Sequence, residues 1–310
     1  MKIEKVESSK ISPKMTEDLI DKFLKKEENT RDSSKQTYKR QLKNFFNWLD
    51  TEGLLDNMQT LQREDILRYR DGLKETKSTY TVSGYMTAVR KFFAYLESEK
   101  IYPNIAKDIK AGKKPRGYKK DCLTVSQIKN ALNNIDTSSL EGKRDYALFN
   151  LLVRTGLRTI EVSRALIEDI RQESGEAVLW IQGKGRDDKD DFVLLTQETL
   201  SPISDYLNAR GEDTEDAPLF ASLSDRNYGK SLSTRSISRI IKNRLKNAGL
   251  NSKRLTAHSL RHTAVTLAIK GGASLQQAQG MARHSSPETT MIYYHNVNRV
   301  RNGAEKNIKI

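Results

Sequence analysis

A single cysteine, Cys122, in a chain of 310 residues excludes an internal disulfide framework and any thiolate-based zinc cluster, and it fits a reducing compartment. Long hydrophobic runs are missing too. "YALFNLLV", residues 146–153, is typical of the longest and falls far short of a membrane span. The opening "MKIEKVESSK" has no apolar signal-peptide core, so the chain is expected in the cytoplasm. No P-loop occurs. Histidine is scarce: there are four, all between His258 and His295.

Positive charge is what the chain has in quantity. Lysine plus arginine total 54 against 40 acidic residues, a formal charge of +14, with a pI near 9.6. Such an excess builds a positive field that draws in polyanions, nucleic acid first. Only 36% of residues are hydrophobic and the mean hydropathy is −0.70. A chain of this length and wetness suits two domains with modest cores and much polar surface.

Residues 1–13 are polar and unpatterned and are expected to be a flexible arm. Residues 14–110 read as a helical domain. In "SSKQTYKRQLKNFFNWLDTEGL", Tyr38, Leu42, Phe45, Phe46 and Leu49 recur at helical spacing, with Lys35, Lys39, Arg40 and Lys43 across the other face. Ser33 or Ser34 is suited to cap that helix and Gly53 to end it. "TYTVSGYMTAVRKFFAYLESEK" repeats the layout with Val82, Met86, Val89, Phe93 and Leu96 inside. Shorter helices are expected over "MTEDLIDKFLKKE" and "REDILRYRDGLKE". Hydroxyls at a helix start beside cations suit phosphate oxygens; equally, the cations can simply solvate an outer face. Thr81, Arg90 and Lys91, with Arg235 further on, are the candidate nucleic-acid contacts.

"AGKKPRGYKKD", residues 111–121, reads as a basic linker, either a nuclear address or a strap crossing a phosphate backbone. A second domain is expected over 122–296. It opens with a Thr124/Gln127 capping box. Next come an apolar helix stopped by Gly156 and a helix over "RTIEVSRALIEDI". "AVLWIQGKGRDDKDDFVLLT" reads as two strands around a turn. Helices over "SLSTRSISRIIKNRLKNAGL", "HSLRHTAVTLAIKGG", "SLQQAQGMARH" and "SPETTMIYYHNVNRVRNGAEK" complete it. Residues 297–310 are expected to be a tail.

Within this domain "TAHSLRHT" puts His258 and Arg261 one helical turn apart. Arg158 follows a glycine turn, with Glu161 one turn on. Lys184 sits between two glycines in a hairpin turn. His284 precedes Tyr293 by nine residues. Singly, each has a bland reading: a structural arginine, a surface histidine, a half-buried anchoring tyrosine.

In order, "TGLRTIE", "GKG", "HSLRHT", "ARHSS" and "TTMIYYH" resemble the signature of the tyrosine recombinases, the phage-integrase family. The resemblance covers about 122–296 and extends loosely to the first domain. It is nearest to integrases of phages and conjugative elements, with Xer-type enzymes as relatives. It implies a mainly α fold with a small antiparallel sheet: a SAM-like core-binding domain and an α-rich catalytic domain forming a C-shaped DNA clamp. It implies a site-specific recombinase that integrates or excises a mobile element through a 3′-phosphotyrosine.

The roles it implies agree with phosphodiester chemistry. Arg158 and Arg261 would neutralise the non-bridging oxygens. His258 would take the phenolic proton of Tyr293, and Lys184 would protonate the departing 5′ oxygen. His284 would hydrogen-bond a phosphate oxygen, and Glu161 would orient Arg158 or His258. Neither metal nor cofactor is implied. The implied partners are double-stranded core sites, three further copies of the chain on two duplexes, and an excision factor. Tyr294 is the competing nucleophile, pointing about 100° away round a helix. His262 and His295 are expected in structural or supporting places.

Two departures from the family pattern stand out. Many relatives read "LGH" where this chain has "ARH", Ala282 to His284. The turn "GRDDKDD" is unusually acidic, leaving Lys184 and Lys189 both in view as the hairpin acid. The alternatives are a Xer-type dimer-resolving recombinase, a type IB topoisomerase and a catalytically silent DNA-binding regulator.

Overall fold

Apolar side chains three and four residues apart form stripes that must be covered, and in this chain the helices cover one another. The computed structural model describes residues 13–112, 121–211 and 214–308. The chain divides into two units, Met1–Arg116 and Gly117–Ile310. The expected arm at 1–13 and the expected linker at 111–121 lie almost wholly outside the described residues.

The first unit packs α1 (Pro13–Lys26), α2 (Asp32–Thr51), α3 (Arg63–Thr76) and α4 (Thr79–Ser98) around one core. Leu42, Phe45 and Leu49 of α2 meet Val82, Met86, Val89 and Phe93 of α4, all fully buried. The rings meet edge to face, as their quadrupoles favour: Phe23 on Phe92 at 5.8 Å and 89°, and Phe45 on Tyr69 at 4.9 Å. Of the cations on α2, Lys39 and Lys43 pair with α1, at 2.7 Å from Asp21 and 2.9 Å from Glu17. α2 begins at Asp32, without a side-chain cap from Ser33 or Ser34.

The second unit is built around α6 (Leu140–Thr155), whose Leu148, Phe149, Leu151 and Leu152 have no exposed surface. The most apolar stretch of the sequence is therefore a core helix. Before it lies α5 (Val125–Asn133), closed by the Thr124/Gln127 box, with Gln127 N–H donating to Thr124 Oγ1 at 3.2 Å and Thr124 N–H to Gln127 Oε1 at 2.9 Å. Within α6 Asp145 is buried and takes both Arg144 and Arg244, satisfying a charge that would otherwise be costly to bury.

The stretch expected to be one helix over 158–170 is divided. α7 (Thr159–Arg164) stops early, a single helical turn of 3-10 type covers Ile167–Asp169, and β1 (Ile170–Glu173) follows. Long-range pairing competes with the local helix: Leu219 N–H donates to Ala165 O at 2.9 Å and Ile167 N–H to Ala217 O at 3.0 Å. β1 pairs antiparallel with β2 (Glu176–Ile181) through a tight turn at Ser174 and Gly175, both with positive φ as a primed hairpin turn requires. β2 pairs with β3 (Asp191–Leu194), Trp180 opposite Phe192, so the sheet has three strands where two were expected.

Next comes α8 (Gln197–Arg210), a helix absent from the expected set, packed on α6 despite Pro202 within it. α9 (Thr234–Asn247), α10 (Ala257–Lys270), α11 (Leu275–Ala282) and α12 (Pro287–Arg301) complete the unit. The boundary expected at 296 falls inside α12, whose Val297 is buried beside Tyr293. Among the described residues no helix is long and apolar enough to cross a membrane.

Candidate active site

The turns that end α6 and α11, together with α7, α10 and α12, bring the candidate residues together. Gly156 ends α6 in the left-handed conformation, φ 65° and ψ 23°, and its carbonyl is turned towards α10. Arg261, one turn into α10 and 2% exposed, donates from Nη1 to that carbonyl at 2.6 Å and from Nη2 to Ala282 O at the end of α11. Its guanidinium thus ties the ends of two helices together. A β-carbon on Gly156 would sit 3.4 Å from Ala264 Cβ and 3.9 Å from Arg261 Cγ.

Arg158 caps α7. Its backbone N–H donates to Glu161 Oε2 and its Nη1 to Glu161 Oε1, both at 2.7 Å, while Nη2 reaches Arg283 O at 3.3 Å. Glu161 is wholly buried. Burial pushes its carboxyl up, but the charge of Arg283 and the hydrogen bonds and charge of Arg158 outweigh that and hold it below the ordinary value. Arg283 follows α11 at φ 52° and donates from Nη2 to Glu161 Oε2 at 3.0 Å.

His284 comes next. Its Nδ1 is 2.9 Å from Thr290 Oγ1, and Thr290 is fully buried in the first turn of α12. Burial first, then the charges of Arg261, Arg158 and Arg283, push its pKa down to about 4. A neutral ring that accepts the Thr290 hydroxyl proton at Nδ1 carries its own proton on Nε2, ready to donate. Arg261, penalised by burial and then by the other two arginines, is pushed down to about 10 and stays charged at neutral pH.

α12 begins at a Ser286 cap and Pro287, and turns Tyr293 inward, 3% exposed, while Tyr294 is half-buried on the flank. The Tyr293 hydroxyl is hydrogen-bonded to His262 Nδ1. Its ring lies 5.9 Å from His284 and 5.4 Å from His262, and His262 meets His258 edge-on at 4.6 Å. His258 is exposed, and its charge reaches His284. The arrangement gathers three arginines, one carboxylate and a buried phenol in one place, and fixed guanidinium groups of this kind can stabilise a developing anion.

Arg158, Glu161, Arg261, His284 and Tyr293 are thus one cluster, and His258 joins it through His262. Lys184 does not. It is exposed in the loop between β2 and β3 and makes no hydrogen bond or ion pair with any described residue. Lys189 is held at 2.6 Å by the buried carboxylate of Asp169. Of the candidate DNA contacts, Thr81 and Arg235 lie exposed in the first turns of α4 and α9. Arg90 is occupied by Ile109 O at 3.0 Å and Thr87, and Lys91 by Glu27 at 2.5 Å. Three residues of the cluster escaped the sequence reading as site members: His262, Thr290 and Arg283. The signals among them were the extra cation in "ARH" and His262, which was expected only in a structural or supporting place.

Two family models match this chain: the phage integrase family over residues 121–299, and the phage integrase N-terminal SAM-like domain over 20–100. The chain belongs to the phage integrase family. These are the tyrosine recombinases, enzymes that cleave and rejoin DNA strands. The tyrosine recombinase XerD of Listeria innocua is 30% identical over 290 residues, covering 90% of this chain and 94% of that protein. XerD of Halalkalibacterium halodurans is 26% identical over 283 residues, covering 88% and 90%. Among solved structures, XerH in a post-cleavage complex with palindromic difH substrate aligns with a TM-score of 0.75 at 22% identity, over 93% of this chain and 84% of that one. The Tn1549 transposon integrase in complex with transposon right end DNA aligns at 0.71 and 16% identity, over 94% and 98%. At these identities the two solved structures share the recombinase fold of this chain.

Proposed function

We propose that Tyr293 is the nucleophile of a site-specific recombination reaction on double-stranded DNA, and that Arg158, Arg261 and His284 bind the scissile phosphate. The carrying observation is the convergence of two guanidinium groups, a neutral imidazole and a buried phenol hydrogen-bonded to His262. The solved relatives of the same fold in complex with DNA support the duplex as substrate.

In the first step Tyr293 Oη attacks phosphorus and its proton passes to His262 Nδ1. His258, which meets the His262 ring edge-on at 4.6 Å and is exposed, is the route from there to solvent. This revises the expectation that His258 takes the proton directly. The bond from phosphorus to the 5′ oxygen breaks, and Lys184 supplies that oxygen with a proton once the loop closes on DNA. Arg158 and Arg261 neutralise the charge that develops on the non-bridging oxygens, and His284 donates from Nε2. The 3′-phosphotyrosine keeps the energy of the broken bond. A 5′-hydroxyl of a second duplex attacks it, the proton returns to Tyr293, and no nucleotide triphosphate is consumed.

Strand exchange between two duplexes calls for four copies of the chain. The exposed Val300 and Ile308 beyond the nucleophile are the surface with which each copy docks on its neighbour. We assign the enzyme to the bacterial cytoplasm and to the movement of an integrating element, with an excision factor as accessory partner. The Xer names of its relatives favour a second reading, a Xer-type dimer-resolving recombinase.

The test mixes protein with nicked duplexes selected from a randomised pool. A covalent adduct lost in Tyr293→Phe carries the proposal, and its absence in the unaltered protein overturns it. Recombinant joints between two labelled duplexes separate this enzyme from a topoisomerase that only relaxes supercoils. Deletion of residues 298–310 is expected to abolish exchange and leave cleavage; unchanged exchange removes the docking role of the tail.

A further inference from the structure

We propose that Arg283 is a positioning residue for strand cleavage, holding the Glu161 carboxylate so that Arg158 keeps its charge for the phosphate. This rests on the reading of the site given above.

The backbone at Arg283 is left-handed, φ 52°, a conformation that disfavours any residue with a β-carbon and suits the glycine found in the "LGH" pattern. The arginine here is accordingly a departure that the fold does not require. Its side chain is only 6% exposed, and a guanidinium is buried at a cost unless charge meets it. What meets it is Glu161, wholly buried, at 3.0 Å. Nη1 is held by Met281 O at 2.6 Å, while Nε is buried without a hydrogen-bond partner among the described residues.

Glu161 is therefore divided. Oε1 serves the Arg158 guanidinium, whereas Oε2 serves the Arg158 backbone N–H and Arg283. One carboxylate shared by two guanidinium groups neutralises neither completely, so the pair retains positive charge facing Arg261 and His284. With glycine at 283, Oε2 would keep only the backbone N–H. The carboxylate would then be free to turn both oxygens on Arg158 and compete with phosphate for it. The carbonyl of Arg283 also accepts from Arg158 Nη2 at 3.3 Å, so backbone and side chain of one residue fix Arg158 from two sides.

The experiment compares Arg283→Gly and Arg283→Lys with the unaltered protein on a nicked duplex chosen from a randomised pool by covalent capture. Glycine accepts φ 52°, which offsets part of the cost of losing the buried ion pair to Glu161. The single-turnover rate of attachment by Arg283→Gly at saturating protein is expected to fall by about tenfold or more, beyond any change in its melting or its affinity for the duplex. Arg283→Lys, which keeps the charge, is expected to regain part of that rate. Attachment by Arg283→Gly at the unaltered rate overturns the proposal. So does a loss that follows lowered melting or affinity, with lysine no better than glycine. Failure of the unaltered protein to attach to any member of the pool instead overturns the reading of Tyr293 on which the proposal stands.

Discussion

The hydroxyl of Tyr293 is hydrogen-bonded to Nδ1 of His262, the residue next to Arg261 on α10. A phenol titrates near 10 in water, so a buried one needs a designated acceptor if it is to attack at neutral pH. In the proposed reaction His262 is that acceptor, and His258 meets its ring edge-on at 4.6 Å. Removing the base with His262→Phe is expected to slow attachment by about 10²-fold or more at neutral pH. The deficit should narrow as pH rises and hydroxide takes over removal of the phenolic proton. His258→Gln is expected to cost less and to show no such narrowing. A pH–rate profile of single-turnover attachment decides this, and the reverse order would return the role to His258.

Lys184 is expected to act as acid to the leaving 5′ oxygen. Lys184→Ala should slow attachment by about 10²- to 10⁴-fold on ordinary DNA. Replacing the bridging 5′ oxygen by sulfur, a leaving group that needs no proton, should restore it. Lys189→Ala, which removes only the anchor on Asp169, should be no better on the sulfur substrate than on the oxygen one. Rescue of Lys189→Ala in place of Lys184→Ala would exchange the two roles.

Gly156 holds a left-handed turn whose carbonyl orients Arg261. Gly156→Ala is expected to cost about 1–2 kcal/mol of stability from the turn alone. It should also slow attachment more than it weakens DNA binding, because a residue that leaves the left-handed conformation turns its carbonyl away from Arg261 Nη1. Urea unfolding and single-turnover cleavage measure the two effects. An unchanged urea midpoint would refute the strain.

His284 has a pKa lowered to about 4 from an ordinary 6.5. The unfolded chain therefore takes up this proton more readily than the folded one, and stability contributed by the neutral ring is complete above about 6.5 and lost as pH falls towards 4. His284→Gln should remove that component. Its melting temperature should fall less steeply across this window than that of the unaltered protein, and parallel curves would show that the imidazole is not buried neutral.

Most helices were legible because burial imposes a period. Leu42, Phe45 and Leu49, or Val82, Met86 and Val89, recur as a covered helix face demands, and Gly156 and the Thr124/Gln127 box mark ends by rules that act within a few residues. The unforeseen strand β1 and the shortened α7 have a different cause. "RTIEVSRALIEDI" carries a helical pattern locally, and only pairing with residues 217–219 and with β2 draws it out of the helix.

The cations show the same division. Arg90 and Lys91 lie on a helix flank that the pattern identifies, yet their bonds to Ile109 and Glu27 come from residues distant in the chain. The family, and the residue types that handle a phosphodiester, were determined by the sequence, because that chemistry admits few side chains and their order along the chain is distinctive. Tertiary structure alone decided that Tyr293 meets His262, that Thr290 meets His284 and that Arg283 shares Glu161. Each of these is a contact between separate segments, fixed by how α7, α10, α11 and α12 pack, and no spacing along a chain records the direction in which a donor points.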